Sequence, residues 1–522
     1  MLTPRSRSAL SIVALLLVAA FTWAWSRGGA LQSDLGGDSD EPAHAVTSLM
    51  VRDYLAGITT HAPMTFARAY YADFPKVAIG HFPPLYYLVG GAALLVWPHR
   101  DTLLVIQWVL GLLVGVMTYV LARRAVGPVQ ALAAAVVASA LPVMLRISYL
   151  VMSDTLLAVL CLAALLAWLH FEERPSTARA LAFGVVAALA ILTKGSGLLL
   201  GAVPPGAAIL QRDFGKLRQT RWWAALVPVL LLAFPWMVVA VRIHREAMVG
   251  SPLRFFPVAI PFYARAIPDT WGWLLTALAL VALVGLLVRA WRGPLSPVEA
   301  VLVSAFAGGL AILVLIPVRP IPRYLAPLTP IMAILAVLGA EQVARRLSRR
   351  AATVAMLLVA VGFASAAGLP KKEVHGFAQA VEFVLSQETL PGPPEQDRWL
   401  VGSDPRGEGA VIAETAFRLP RRSPSPVRIY RSSKELSSSD WMGRGYRLAF
   451  STEADVLAHL EDIRIHWVLV DRSVPVDRLT PDQVLLERTM NGVPQHWRLV
   501  RTQPITREPG VTGELLVYRA RR

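Results

Sequence analysis

Long apolar segments alternate with short polar loops over residues 9–368. Each segment has about 16–22 residues, the length that a helix needs to cross the hydrocarbon core of a bilayer. The pattern therefore predicts a polytopic α-helical membrane protein. Its apolar segments lie near residues 9–25, 82–97, 103–121, 126–145, 155–170, 179–193, 196–210, 222–241, 270–288, 298–317, 324–342 and 351–368.

The basic residues predict which loops face the cytoplasm, because lysines and arginines of short loops are retained on that side. All the basic clusters fall on one side only if one early segment does not span. We expect this to be 82–97, which is short and bounded by prolines. Eleven spans then remain, with the N-terminus inside and the C-terminus outside. The clusters are Arg5/Arg7, Arg123/Arg124, Arg174/Arg179, Arg212/Lys216/Arg218/Arg221, Arg289/Arg292 and Arg345/Arg346/Arg349/Arg350.

Composition narrows the class of protein further. Of 522 residues, 55% are hydrophobic and 16% are charged, where a soluble chain carries about a quarter charged residues. The net charge of +16 is scattered over short loops, which indicates membrane orientation and no nucleic-acid partner. A single cysteine, Cys161, argues against disulfides and thiolate metal sites. The first apolar segment is long and lacks a clean cleavage site, which favours an uncleaved span over a signal peptide.

The composition changes to mixed polar after residue 368. Buried strands are predicted at 399–404 and 466–471, and amphipathic helices at 409–419 and 453–462. We therefore expect a transmembrane module over 1–369, whose first outward loop spans 26–102, and a small α/β extracytoplasmic domain over 370–522. A proline patch at 391–394 resembles a linker.

The first outward loop carries the sequence GGDSDEPAH, with Asp38, Asp40, Glu41 and His44 close together. A solvated acidic loop is the simplest interpretation. However, the loop also contains several aromatic residues, which predict that it folds onto the membrane surface. A carboxylate beside an apolar wall has a raised affinity for protons and can act as a general base. We favour this role for Asp40 over Asp38, and expect Glu41 and His44 to share one helix face.

Three further charged residues lie at the ends of apolar segments. Lys194, in LTKG, is isolated among apolar residues, so it either snorkels to the interface or binds phosphate as a point charge. Arg323, in RYLAP, has the same two interpretations. Asp154 begins a segment, where it either caps a helix or takes a polar or metal-binding role. Ionisable residues at membrane depth usually mark a site.

His81, in GHFPPLYYL, precedes two prolines and two tyrosines. One interpretation is a turn followed by an aromatic belt at the membrane interface. The other is a polar group that the rigid Pro-Pro corner presents to a lipid headgroup.

Five motifs then occur in order: an acidic DE pair after the first span, a PPLYY corner, an Asp opening a later span, LTKG and RYLxPLxP. Together they resemble the GT-C-fold, polyprenyl-phosphate-sugar-dependent glycosyltransferases, the superfamily of protein O-mannosyltransferases and lipid A aminoarabinose transferases. The similarity covers about residues 9–345. No match is apparent for residues 370–522.

The resemblance implies a role for each site residue. Asp40 is implied as the catalytic carboxylate with Glu41 beside it, and Lys194 and Arg323 as ligands of the donor phosphate. Asp154 is implied as a second acidic residue that shares a divalent metal ion, with His44 as a further candidate ligand. Many members carry a lysine before the Pro-Pro corner, where this chain has His81-Phe82, and the resemblance implies His81 as the phosphate contact at that corner.

The implied function is transfer of a hexosyl or pentosyl group from a polyprenyl-phosphate donor to an acceptor hydroxyl, with inversion. The acceptor class stays open between lipid, glycan and protein. The implied location is the extracytoplasmic face of a bacterial-type inner (plasma) membrane. A transporter is one alternative, although no internal repeat supports it. A non-catalytic protein of lipid-linked glycan assembly is the other, and it would keep Lys194 and Arg323 without needing Asp40.

Overall fold

The computed structural model describes residues 18–57, 62–78, 80–244, 252–344, 369–387, 396–420, 425–440 and 443–521. Several sequence predictions lie outside these ranges: the first half of the first span, the basic cluster at 345–350, the last span at 351–368 and the proline patch at 391–394.

Helices dominate the described residues between 18 and 344. Six of those described are long and apolar enough to cross a membrane: Asp101–Ala122, Ser153–Glu173, Thr220–Arg242, Trp273–Arg292, Pro297–Leu315 and Pro322–Ala344. Pro128–Ala140 and Pro142–Ser148 form a seventh if they count as one span bent by 57°. The bend falls at Pro142, because proline lacks the N–H that would continue the helix. The chain is thus a multi-pass membrane protein, and the predicted count of eleven spans is not confirmed.

Shorter helices fill the spaces between these spans. Two helices, Thr177–Thr193 and Val203–Leu210, flank the 3-10 helix Gly195–Ala202. The span Thr220–Arg242 contains a π-helical turn, Val229–Ala233, next to two prolines, Pro228 and Pro235. The remaining elements of this part are the 3-10 helices Phe214–Arg218 and Pro322–Leu328 and the helix Pro252–Trp271.

Three helices follow the first span, whose described part is helical over residues 18–27. They are Asp40–Leu55, hereafter the loop helix, Pro63–Asp73 and Leu85–Val96. The last has 12 residues, about 18 Å at 1.5 Å per residue, which is well short of the roughly 30 Å hydrocarbon core. It lies against the loop helix so closely that a Cβ at Gly90 would come within 2.6 Å of Ser48 Oγ. Its length agrees with the juxtamembrane helix expected there.

The C-terminal part forms a small α/β domain. Its five-stranded sheet consists of β1 (Asp397–Gly402), β2 (Val427–Arg431), β5 (Trp467–Asp471), β6 (Trp497–Glu508) and β7 (Val511–Ala520), and a separate pair is formed by β3 (Ser437–Ser438) and β4 (Arg447–Leu448). The strand order in the sheet is β2-β1-β5-β7-β6. β1 pairs in parallel with β2 and β5, while β7 pairs antiparallel with β5 and β6. The strands predicted at 399–404 and 466–471 are confirmed as β1 and β5.

The helices of this domain cover the sheet. They are Phe377–Ser386, Pro405–Arg418, Ser432–Glu435, Glu453–Asp462 and Pro481–Gly492. The helices predicted at 409–419 and 453–462 are thereby confirmed. Pro405–Arg418 begins directly after β1, because Asp404 caps it by accepting from the N–H groups of Arg406 and Gly407.

The helix Pro405–Arg418, hereafter the docking helix, joins the domain to the membrane module by packing on the loop helix. Glu414 is buried at this contact and accepts from the Leu35 N–H at 2.9 Å and from Arg100 Nη1 at 2.7 Å. Two carboxyls, Asp34 and Glu414, therefore share the Arg100 guanidinium. This contact holds in place the loop after the first span, which carries Asp38, Asp40 and Glu41.

Candidate active site

Arg323 gathers three carboxylates around one guanidinium. Its Nη2 donates to Asp40 Oδ2 at 2.5 Å, its Nη1 lies 3.1 Å from Asp38 Oδ1, and its Nε lies 3.8 Å from Asp154 Oδ2. Asp38 lies in the loop just before the loop helix, and Asp40 is the first residue of that helix. Asp154 lies at the start of the span Ser153–Glu173, and Arg323 belongs to the 3-10 helix Pro322–Leu328. The fold thus brings together residues separated by 283 positions in the sequence.

Lys194 contacts the same group of carboxylates through Asp154. Its Nζ donates to Asp154 Oδ1 at 2.6 Å and lies 4.8 Å from the centre of the Tyr324 ring. A Cβ added at neighbouring Gly195 would meet nothing within 4 Å, so there is space beside the lysine. Asp38, Asp40, Asp154, Lys194 and Arg323 form what we call the charge network, with three carboxylates against two cations.

The charge network is not saturated with hydrogen bonds. Among the described residues, Arg323 Nε and Asp154 Oδ2 have no hydrogen-bond partner, and their separation of 3.8 Å is too long for a hydrogen bond. The buried hydroxyls of Ser153 and Thr155, on either side of Asp154, are likewise without a partner there. Buried polar groups without partners are rare and mark places where a ligand or water binds.

These contacts decide between the alternatives raised by the sequence. Lys194 does not snorkel, because it is buried against Asp154 and Tyr324. Asp154 does not cap its helix, since it is the second helical residue and no side-chain cap bond forms. Arg323 is held inward by carboxylates and is not an interface anchor.

The electrostatics of Asp40 differ from the sequence expectation. Burial alone would raise the pKa of Asp40, but the charge of Arg323 and its hydrogen bond, with a smaller contribution from the charge of Lys194, outweigh burial and lower the pKa below its ordinary value. The expected raised affinity for protons is therefore wrong in this state. The sequence indicates apolar surroundings for Asp40, but it does not show that the guanidinium of Arg323, 283 positions away, lies beside it.

His44 lies one helical turn beyond Asp40 in an aromatic cage. Its Nδ1 is 2.9 Å from the Tyr87 hydroxyl, and its ring packs at 4.8 Å from Phe82 and 5.5 Å from Tyr86. Burial lowers the pKa of His44 to about 4, so the imidazole is neutral at neutral pH. The Pro-Pro corner therefore presents aromatic rings to this histidine.

Glu41 is buried, and its carboxylate points away from the charge network. It contacts backbone N–H groups and Lys372, which lies in the segment leading into the C-terminal domain. One oxygen, Oε2, accepts from the N–H groups of Gly36 and Gly37. The other, Oε1, accepts from the Val151 N–H at 3.2 Å and from Lys372 Nζ at 2.7 Å. Glu41 thus ties the acidic loop both to the segment before Asp154 and to the chain that leads into the C-terminal domain.

His81 is half-buried in the turn that precedes Leu85–Val96. It is not one of the residues that the charge network brings together. Its neighbour Phe82 contacts the His44 ring instead. A phosphate contact from His81 stays a prediction.

A divalent metal fits the described residues poorly. No group of three or more His, Cys, Asp or Glu side chains in the described part of the chain is arranged to hold a metal ion. Asp154 is engaged by Lys194, and His44 Nδ1 by Tyr87. We therefore derive no step through a metal, and the ligand roles inferred for Asp154 and His44 stay predictions.

The chain is similar to a known protein family in sequence and to solved proteins in structure. Residues 81–238 match the family model described as dolichyl-phosphate-mannose-protein mannosyltransferase. No curated protein is similar enough in sequence to count as a relative. The membrane module with its docked α/β domain has the GT-C fold.

Three solved structures share this fold. ArnT from Cupriavidus metallidurans bound to undecaprenyl phosphate has 16% identity and a TM-score of 0.58, with 97% of each chain covered. Archaeal oligosaccharyltransferase AglB from Archaeoglobus fulgidus, with an inhibitory peptide and a dolichol-phosphate, has 14% identity and a TM-score of 0.52, covering 88% of this chain and 69% of its own. An Archaeoglobus fulgidus oligosaccharyltransferase in complex with Zn and sulfate has 14% identity and a TM-score of 0.52, covering 88% of this chain and 67% of its own.

These findings confirm the resemblance noted from the motifs. They establish the GT-C fold and support a membrane glycosyltransferase. Identities of this size establish a shared fold, whereas activity has to be argued from the site itself.

Proposed function

We propose that this protein is a membrane glycosyltransferase that moves a sugar from a polyprenyl-phosphate donor to an acceptor hydroxyl, with inversion at the anomeric carbon. The reaction takes place on the extracytoplasmic face of a bacterial-type inner membrane, with the N-terminus in the cytoplasm. The transferred group is a hexosyl or pentosyl unit, and the acceptor is a lipid, glycan or protein.

The observation that carries this proposal is the unsaturated charge network. Within the described part of the chain, Arg323 Nε and Asp154 Oδ2 lie 3.8 Å apart and neither has a hydrogen-bond partner. The buried ammonium of Lys194 lies next to them. A phosphate oxygen accepts hydrogen bonds from guanidinium and ammonium groups. The N-terminus of the helix Ser153–Glu173 adds backbone N–H groups that favour an anion.

Donor binding changes the partner of Arg323. The resting network already contains three carboxylates for two cations, so an arriving phosphate competes with Asp40 for the guanidinium. Once Arg323 binds the phosphate, the positive charge of its guanidinium no longer lowers the pKa of Asp40. Its affinity for a proton then rises, which makes Asp40 a better general base in the presence of the donor.

The chemical step follows from this arrangement. The acceptor hydroxyl gives its proton to Asp40 and its oxygen attacks the anomeric carbon, forming the new glycosidic bond. The bond from that carbon to the phosphate oxygen breaks on the opposite face, and its electron pair stays on the polyprenyl phosphate. Lys194 and Arg323 stabilise the charge that develops there.

The other candidates take supporting roles in this proposal. Glu41 positions the acidic loop through its bonds to Gly36, Gly37 and Lys372. His44, neutral and caged, forms an apolar wall beside Asp40. His81, at the Pro-Pro corner, is assigned to the lipid headgroup.

Structural neighbours make a lipid-phosphate donor reasonable. The ArnT structure contains undecaprenyl phosphate, and one AglB structure contains a dolichol-phosphate together with a peptide. By analogy of fold, we assign a polyprenyl phosphate to the cationic side of the charge network and the acceptor to the side of the C-terminal domain.

The test is release of free polyprenyl phosphate by purified protein in nanodiscs, with a panel of polyprenyl-phosphate sugars and an extracted membrane fraction as the acceptor source. Asp40→Asn should lower turnover about 10²–10⁴-fold, the usual contribution of a general base. Asp477→Asn, an exposed residue of the C-terminal domain, is the matched control. Equal turnover of both variants, or no release with any donor, would contradict the proposal.

A further inference from the structure

A cavity lies at the junction of the membrane module and the C-terminal domain, and Gly37 of the loop that carries the acidic residues lines it. It has a volume of about 200 Å³, several times the roughly 30 Å³ that a water molecule occupies in the liquid. Its walls include Gly37 and Leu150 from the membrane module and Arg406 and Arg507 from the domain. The cavity can therefore hold a group larger than a bound water molecule.

The lining is rich in positive charge. Five basic side chains face two acidic ones, Glu373 and Glu508. Three of the five are already committed: Lys372 to Glu41, Arg406 to the Gly36 carbonyl, and Arg507 to Asp404. The remaining two, Arg146 and Lys371, decide what the cavity can bind.

Arg146 and Lys371 are available to a ligand. Among the described residues, the exposed Arg146 side chain makes no hydrogen bond or ion pair. Lys371 is mostly exposed, and its one ion pair is with Glu373 at 3.5 Å. Two available cations at the mouth of a cavity suit a phosphate or carboxylate.

The position of the cavity links it to the reaction. Gly37 lines it and lies three residues before Asp40, a stretch that spans at most about 11 Å. A molecule with an anionic group in the cavity and a hydroxyl one sugar ring away therefore extends toward the carboxylate. The donor phosphate has its own cations in Lys194 and Arg323, so this second site is left for the acceptor.

We propose that the junction cavity binds an anionic group, a phosphate or carboxylate, of the sugar acceptor. This inference rests on the proposed function, and it places the acceptor among acidic glycans, phosphoglycolipids or acidic peptides. It also gives the C-terminal domain a role, because the acceptor site is complete only when the domain is docked.

The first experiment measures thermal stabilisation of the full-length protein in phosphatidylcholine nanodiscs by glucose 6-phosphate and by glucose, since a ligand stabilises the state that binds it. Glucose 6-phosphate should stabilise the wild type and glucose should not. The double variant Arg146→Gln/Lys371→Gln should bind glucose 6-phosphate at least about tenfold more weakly, given the usual strength of charge-assisted hydrogen bonds. Arg488→Gln/Arg498→Gln, which removes the same charge from exposed positions, should bind like the wild type.

Two further arms separate the possible sources of error. Arg323→Met should leave the stabilisation by glucose 6-phosphate intact, and its loss there would mean that the probe binds at the donor site. Nanodiscs of phosphatidylglycerol should give the same result as phosphatidylcholine. If glucose 6-phosphate stabilises the protein in phosphatidylcholine but not in phosphatidylglycerol, a lipid headgroup fills the cavity and the acceptor assignment is overturned. Equal losses of glucose 6-phosphate binding in both double variants would overturn it as well.

These arms do not depend on turnover. The junction site therefore stands or falls separately from the role of Asp40: an active enzyme whose double variant still binds glucose 6-phosphate normally contradicts only the further inference.

Discussion

Two arginines, the half-buried Arg323 and the buried Arg507, each contact aspartates, and the difference between them separates a site from a scaffold. Arg507 donates to Asp404 and to the hydroxyls of Ser403 and Ser473, each at 2.8 Å, and also pairs with Asp471. The Arg507 side chain is 3% exposed. Every group in this cluster has a partner inside the protein.

Arg323 is arranged differently. Two of its acidic partners, Asp38 and Asp40, are 30% and 24% exposed, and its Nε lacks a hydrogen bond among the described residues. A saturated cluster holds its parts in place, whereas an unsaturated one can exchange partners. The same residue types therefore stabilise the C-terminal domain in one place and are available to a ligand in the other.

The largest expected effect comes from breaking the saturated cluster. Arg507→Met leaves Asp404 and Asp471 buried without their cation, and such losses cost about 3–5 kcal/mol. The free energy of unfolding of the C-terminal domain should fall by this amount in denaturant titration. Arg498→Met, on the exposed face of β6, should change it by less than about 0.5 kcal/mol. An equally stable Arg507→Met would contradict the scaffold role.

A smaller effect is expected from a conservative change in the charge network. Arg323→Lys keeps the charge but loses the planar fork that reaches Asp40 and Asp38 together. The donor KM should rise about tenfold, equivalent to roughly 1.4 kcal/mol, while thermal stability hardly changes. Steady-state kinetics with the active donor measures this, and a large loss of stability with an unchanged KM would assign Arg323 to the scaffold instead.

The smallest effect concerns pH at the docking contact. Burial and the nearby charge of Glu414 raise the pKa of Asp34 to about 6 from an ordinary 3.8. The folded protein therefore binds a proton between these values that the unfolded chain does not, so Asp34 makes folding more favourable as the pH falls through 6. Between pH 7.5 and 5 this contributes roughly 1 kcal/mol.

Asp34→Asn removes this contribution because asparagine does not titrate. Melting curves at pH 7.5, 6 and 5 should show that the wild type gains stability relative to the variant toward acid pH. A constant difference between the two proteins over this range would show that Asp34 titrates normally.

The sequence was sufficient for the class of fold and for four of the five residues of the charge network, the exception being Asp38. Periodicity and basic clusters indicated membrane helices, and five ordered motifs selected Asp40, Asp154, Lys194 and Arg323, which the fold brings together. Two strands and two helices of the C-terminal domain were also predicted, because strands such as β5 are short apolar runs with clear boundaries. The strands β2, β6 and β7 and the helices Phe377–Ser386 and Pro481–Gly492 were not predicted.

Other features depended on contacts that no local pattern encodes. Glu41 looked catalytic beside Asp40, yet its partner Lys372 lies 331 positions away, so its structural bonds were invisible. The lowered pKa of Asp40 depends on Arg323 in the same way. Arg507 carried no local signal at all, since Asp404 lies just after β1 and Asp471 is the last residue of β5, and both meet Arg507 only after the sheet forms.

The most direct test of the account is the affinity of the product, polyprenyl phosphate, for the wild type and for Asp40→Asn, measured by intrinsic fluorescence in nanodiscs. If the phosphate must displace Asp40 from Arg323, removing that carboxylate's charge should tighten binding several-fold while turnover is lost. Unchanged or weaker binding in Asp40→Asn would contradict the exchange of partners at Arg323.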